Sequence, residues 1–291
     1  MAFADANGAQ IAYQQWGDGP DVVLLHGLAA NRAFWFASHA QALVEAGFRV
    51  TIYDLRGHGY STMSTTGYSA TALAHDLRDL LDALHIRRAH VVGHSYGGGV
   101  ALEFAAEHPE RVESLCLFDS RINRLQPQQW LNDGPALSDF ETAVLAAASG
   151  DWENETQIGL RYLESLARLT VSGAALPSMG QWTPFGEGRG GKRTATQFVR
   201  LLDFTEATRE FLVMGAPPAR LRQQLSGTPL LLAYGGQSRC VASQRALRDL
   251  LPHARCELRA DAGHFFPATH REWTAGLLAD WLTVETRQVG S

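Results

Sequence analysis

The sequence predicts an α/β fold: a doubly wound, mostly parallel sheet carrying a helical insertion. Three observations lead there. Short β-rich apolar runs alternate with helical stretches over most of the 291 residues, and parallel strands need crossover helices to join them. One junction, Gly93-His94-Ser95-Tyr96-Gly97, puts a serine where an apolar run must turn sharply into a helix. From about Ile122 to Leu225 the alternation stops and the pattern is helical.

Taken in order, the strand candidates are Ile11–Trp16, Asp21–Leu25, Arg49–Tyr53, Ala89–Val92, Ser114–Phe118, Pro229–Tyr234 and Arg255–Arg259. Helical patterns occupy Ala33–Glu45, Ser69–Leu84, Gly98–Glu107, Ser243–Leu250 and Glu272–Leu282. Ala89–Val92 leads into the serine turn, and the helix leading out is ended by Pro109. Gly97, Gly98 and Gly99 each weaken the first turns of that helix by up to about 1 kcal/mol relative to alanine, so a special backbone demand is expected there. Two parts follow: a core of residues 1–121 and 226–291, and an insertion of residues 122–225 containing Trp130, Trp152 and Trp182.

The insertion also holds a Gly-rich break, Gly186–Gly191, followed by Lys192-Arg193-Thr194. It is not a phosphate-binding loop. Arg193 stands where serine or threonine should follow Gly191-Lys192, and no buried strand precedes it. A flexible basic loop, able to touch an anionic substrate tail, is the expectation.

Composition sets outer limits. Hydrophobic residues make up 45% and charged residues 19%, with a formal charge of −5 and a pI near 6.1. No basic field is present to draw in nucleic acid or an anionic membrane. No run approaches the roughly 18 apolar residues of a membrane span, and the N-terminal residues lack a signal-like pattern. Cys116, Cys240 and Cys256 are odd in number and without metal-ligand or redox spacing. Cys116 and Cys256 fall in strand-like stretches, and the expectation is buried free thiols in a cytoplasmic protein.

The chemistry gathers around Ser95. A serine hydroxyl needs a neighbouring base to become a nucleophile at neutral pH. His264, just past the last strand-like run, sits where a parallel sheet presents its loops on the same side as Ser95. An oxyanion intermediate needs two backbone N–H donors. Tyr96, at the positive end of the helix after Ser95, supplies one, and Leu28, in the loop His26-Gly27-Leu28, the other.

With these residues in place, the chain resembles the α/β-hydrolase fold superfamily over nearly its whole length. The matching stretches are His26-Gly27, Asp54-Leu55-Arg56-Gly57-His58-Gly59, Gly93-His94-Ser95-Tyr96-Gly97 and Gly263-His264. The resemblance implies that Asp54–Gly59 is a structural turn and that 122–225 is a helical cap after the sixth strand. It implies Ser–acid–His catalysis with no metal and no organic cofactor. Serine at the turn speaks against the branches that place aspartate there. The family's usual acid position, in the loop Gly235–Val241, is filled here by Ser238. Asp119, at the end of Ser114–Phe118, is where carrier-protein thioesterases of this fold resemble the chain, and it is the expected acid. Asp261 is a weaker rival.

The substrate expectation is an apolar or aromatic acyl ester or thioester, free or carrier-bound, contacting His26, Phe34, Trp35 and Phe265. Acyl transfer, cyclisation, C–C hydrolysis or lyase chemistry on the same triad is the alternative, followed by ligand binding without catalysis.

Overall fold

The computed structural model describes residues 1–177, 182–186 and 188–289. Its strands are β1 (Ala2–Ala6), β2 (Ala9–Trp16), β3 (Asp21–Leu25), β4 (Arg49–Tyr53), β5 (Ala89–His94), β6 (Val112–Phe118), β7 (Leu230–Gly235) and β8 (Arg255–Arg259). They form one sheet in the order β1-β2-β4-β3-β5-β6-β7-β8. β1 and β2 run antiparallel to their neighbours, and all pairings from β4 to β8 are parallel. β1 has no counterpart among the sequence-based strands. It joins β2 through Asn7-Gly8, both at positive φ (47° and 75°), the backbone that a two-residue hairpin turn demands.

Successive residues of the central strands feed opposite cores. Val23 and Leu25 pack with the helices Ala70–Ala83 and Tyr96–Glu107. Val22 and Leu24 pack with Leu43, Leu278 and Leu282 on the other face. Both faces are covered, so these strands read as continuous apolar runs rather than alternating ones. Each fully buried large apolar side chain contributes about 1.5–3 kcal/mol. The first helical pattern, Ala33–Glu45, is broken by a π-helical turn at Phe36–Ala40.

The insertion builds its own cluster from residues such as Phe140, Val144, Leu166, Phe198 and Phe211. That cluster includes Ala29 and touches Leu28 and Tyr96, so it lies over the carboxyl ends of β3 and β5. Ala216, Leu221 and Leu225, although within 122–225, pack in the sheet core instead. The Gly-rich stretch is not a loop: Gly188–Phe204 is a helix, with Arg193 5.6 Å over the Tyr60 ring. Glu187 of that stretch lies outside the described residues. Cys256 is likewise a correction. It is exposed, because β8 is the edge strand of the sheet and is exposed or half-buried along its length. No helix among the described residues is long and apolar enough to cross a membrane.

Candidate active site

Ser95 sits between β5 and the helix Tyr96–Glu107 with φ 55° and ψ −123°, a strained conformation for a residue with a Cβ, costing about 1–3 kcal/mol. The surroundings force it. A Cβ on Gly93 would meet the Gly97 carbonyl at 2.4 Å, and one on Gly97 would meet the His26 carbonyl at 2.4 Å. Gly98 would strike the Ser120 hydroxyl, whereas Gly99 would meet nothing nearer than 3.9 Å. Of the three consecutive glycines, two are required by close approach. The Ser95 N–H donates to the Phe118 carbonyl at 2.9 Å, fixing the turn to β6.

Three side chains converge here from three loops. The Ser95 hydroxyl donates to His264 Nε2 at 2.9 Å, and His264 Nδ1–H donates to Asp119 Oδ1 at 2.9 Å. Asp119 is fully buried and itself at positive φ (46°). Its Oδ2 accepts the Gly235 N–H at 2.7 Å, and its Oδ1 also accepts the Ser238 hydroxyl. Ser238 therefore stands behind the carboxylate instead of replacing it. Asp261 takes no part in this run of hydrogen bonds; it pairs with Arg259 at 3.0 Å, its side chain two-thirds exposed.

Burial disfavours the charged form of His264, but the Cys240 sulfur and the Asp119 carboxylate on its Nδ1 side outweigh burial and raise its pKa above the ordinary 6.5. The Cys240 sulfur is 3.7 Å from Nδ1. Asp119, Cys240 and His264 each offer a donor atom within 4.8 Å of the others, a set able to hold a thiophilic cation only by breaking the Asp119–His264 hydrogen bond. Cys240 was legible only as one member of the loop Gly235–Val241. His94 Nε2–H donates to the His264 carbonyl at 2.9 Å, and burial keeps His94 neutral by pushing its pKa well down.

The loop His26-Gly27-Leu28 is equally constrained. A Cβ on Gly27 would lie 2.8 Å from Ser95 Cβ and 3.3 Å from its Oγ, so only glycine lets this loop pass so close to the serine. Neither the Leu28 nor the Tyr96 N–H donates to a backbone acceptor among the described residues. His26 lies beneath this loop and away from the cavity. It accepts the Leu55 N–H at 3.0 Å, and burial pushes its pKa down to about 3. His58 accepts the Ala29 N–H at 3.2 Å, and Asp54 accepts the Arg32 N–H at 2.8 Å. The Asp54–Gly59 turn thus braces the loop that follows β3.

A cavity of about 750 Å³ opens onto Ser95, Leu28, Tyr96 and His264. Phe265 and Trp182 are on its wall, with ring centroids 5.0 Å apart. Two expected contacts are corrected with His26. Trp35 is fully buried against Phe118, because its helix turns it into the sheet core. Phe34 stacks on His94 at 4.7 Å, behind the wall formed by Trp182.

Residues 20–270 match the family described as alpha/beta hydrolase fold, and the chain belongs to that family. Among curated proteins it is 40% identical over 117 residues to an uncharacterised protein of Mycobacterium tuberculosis, a match covering 40% of this chain and 34% of that one. It is 28% identical over 270 residues to the dihydrolipoyllysine-residue acetyltransferase component of the acetoin cleaving system of Cupriavidus necator, covering 90% of this chain and 63% of that one. The chain thus spans between a third and two thirds of the length of these curated relatives. Among solved structures, a bacterial membrane phospholipase A is alike in fold, with a TM-score of 0.70 and 24% identity over 98% of this chain and 86% of that one.

Proposed function

We propose that the chain is a serine hydrolase that cleaves an ester or thioester through an acyl-enzyme on Ser95. The observation carrying this reading is the continuous hydrogen-bonded run from the Ser95 hydroxyl through His264 to buried Asp119, at 2.9 Å for each step. His264 Nε2 takes the hydroxyl proton as Oγ attacks the acyl carbon, and Asp119 stabilises the imidazolium that forms. The carbonyl oxygen, now an oxyanion, receives the Leu28 and Tyr96 N–H groups, worth about 3–4 kcal/mol each in comparable sites. His264 then returns its proton to the departing alkoxide or thiolate. A water molecule, deprotonated by the same nitrogen, repeats the attack and releases the acid. Every step is supplied by side chains and backbone, so the chemistry calls for no metal or organic cofactor.

The substrate on this reading is a small acyl ester or thioester, free or carrier-bound, lying against Phe265 and Trp182 beneath the insertion acting as a cap. Transfer of the acyl group to another acceptor is the second reading. It shares every step up to the acyl-enzyme, and the acetyltransferase component matched over 90% of this chain favours keeping it. Against ligand binding without catalysis stands the hydrogen bond from His264 Nδ1–H to the Asp119 carboxylate, which supports Asp119 as the acid that Ser238 cannot be.

Rapid mixing with short-chain p-nitrophenyl esters tests the proposal, with Ser95→Ala as control. A burst of one equivalent followed by steady turnover, both lost in the variant, is expected. A burst without turnover favours transfer to an acceptor other than water. The absence of both burst and turnover with esters and acyl thioesters sinks both readings.

A further inference from the structure

The cavity wall carries a cation that the chemistry above does not use. Arg121, two residues beyond Asp119, lines the same cavity as Ser95. Its guanidinium is clamped by neutral acceptors: Nε donates to the Gln126 carbonyl at 3.0 Å, Nη1 to Gln157 Oε1 at 2.7 Å and Nη2 to the Pro127 carbonyl at 2.8 Å. These fix its orientation, leave two of its five N–H groups unspent and do nothing to cancel its charge. No carboxylate among the described residues forms an ion pair with it. Other charged groups of the wall have partners: Arg239 faces Glu141 at 3.9 Å, Asp261 faces Arg259 at 3.0 Å and His270 at 3.8 Å, and His264 has Asp119.

A partly buried guanidinium with no carboxylate within ion-pair distance is costly to keep, and burial lowers the pKa of Arg121 against the smaller opposing pull of Cys240 and Asp133. An incoming anion removes that cost and gains paired, charge-assisted hydrogen bonds, which a rigid, pre-oriented guanidinium gives better than a lysine would. The wall also carries apolar side chains, among them Leu131, Leu163 and Trp182, which suit the chain linking such an anion to the reacting carbonyl.

We infer that Arg121 is an anion subsite, and that the preferred substrate is an ester or thioester carrying a carboxylate or phosphate within the length of the cavity from its scissile carbonyl. This rests on the acyl-enzyme reading and deepens it.

Two matched pairs separate the sources of the anion. The p-nitrophenyl hemiester of glutarate and its methyl ester differ only in the acyl-side carboxylate. Acetyl-phosphopantetheine and acetyl-pantetheine differ only in the leaving-group phosphate. For at least one pair, kcat/KM of the charged member should exceed the neutral one by about 10- to 100-fold, the range of a hydrogen-bonded charge. Arg121→Gln should erase that preference by lowering the charged member alone, with Arg121→Lys retaining part of it. Equal rates for both members of both pairs, or an equal loss for charged and neutral substrates in Arg121→Gln, overturns the inference. Calorimetric binding of the same compounds to Ser95→Ala makes the comparison without chemistry. A binding preference for the charged member, alongside no turnover by the intact protein, keeps the subsite and sinks the acyl-enzyme reading. Equal binding, alongside turnover of neutral esters, does the reverse.

Discussion

The Ser238 hydroxyl donates to Asp119 Oδ1, the carboxylate oxygen that also receives the His264 Nδ1 proton. Ser238 in turn accepts the Cys240 N–H at 3.0 Å, so the loop after β7 holds the same carboxylate oxygen that the histidine meets. The two positions thus have unequal roles. Asp119→Asn removes the charge that stabilises the imidazolium and should lower kcat by about 10⁴-fold, as the comparable change does in serine proteases. Ser238→Ala removes one hydrogen bond behind that charge and should cost only about 10- to 100-fold. Steady-state kinetics of the two variants decide it, and a larger loss at Ser238 would overturn the assignment of Asp119.

The environment of His264 also sets the pH profile. Its pKa is raised above 6.5 because Cys240 and Asp119, beside Nδ1, favour the imidazolium against the opposing effect of burial. A general base must be neutral to accept a proton, so kcat/KM should rise with pH and reach half its plateau above pH 6.5. Asp119→Asn takes away a charge that favours the imidazolium, so its limb should move to lower pH even as the plateau falls. A limb that stays in place in Asp119→Asn would mean another group controls the profile.

Much of this arrangement was legible because the motifs state a backbone demand. Gly93 and Gly97 declare the close approach of strand and helix, and the apolar runs of β3 and β5 declare burial on both faces. Asp119 was legible because Ser238 could not carry its charge. Other features were hidden. β1 is the poorly β-forming Ala-Phe-Ala-Asp-Ala, held by its hairpin and its pairing with β2 rather than by propensity. Only Asn7-Gly8 announces it. Trp35 misled because an aromatic beside an oxyanion loop reads alike whether it faces substrate or sheet. Cys240 and Arg121 join the site through tertiary contacts that spacing in the chain does not encode.

Gly27 and Gly99 make opposite predictions. A methyl group at Gly27 would press on Ser95 Cβ at 2.8 Å, displacing either the nucleophile or the Leu28 amide. Misplacement on the order of 1 Å costs about 10²-fold in rate, so Gly27→Ala should lose at least that much while the fold persists. Gly99 lies inside a helix with no atom nearer than 3.9 Å to an added methyl, so Gly99→Ala should stabilise by about 0.5–1 kcal/mol. Thermal unfolding and kcat/KM measured together on both variants check the pair. Full activity in Gly27→Ala would remove the argument for the oxyanion loop.

Two aromatic residues near the site should separate in the same way. Trp35 is wholly enclosed by the sheet core, in contact with Phe118 at 6.1 Å between ring centroids, so its truncation leaves a cavity that the surrounding strands cannot fill. Trp35→Ala should cost about 3–5 kcal/mol of stability, with KM unchanged in the protein that remains folded. Phe265 faces the substrate cavity and flanks His264, with ring centroids 4.9 Å apart. Phe265→Ala removes apolar surface that substrate would otherwise cover, which weakens ground state and transition state alike. Its KM should therefore rise, with kcat changing less and Tm moving little. A KM effect at Trp35 instead would return that residue to the substrate site and place the wall of the cavity one layer deeper.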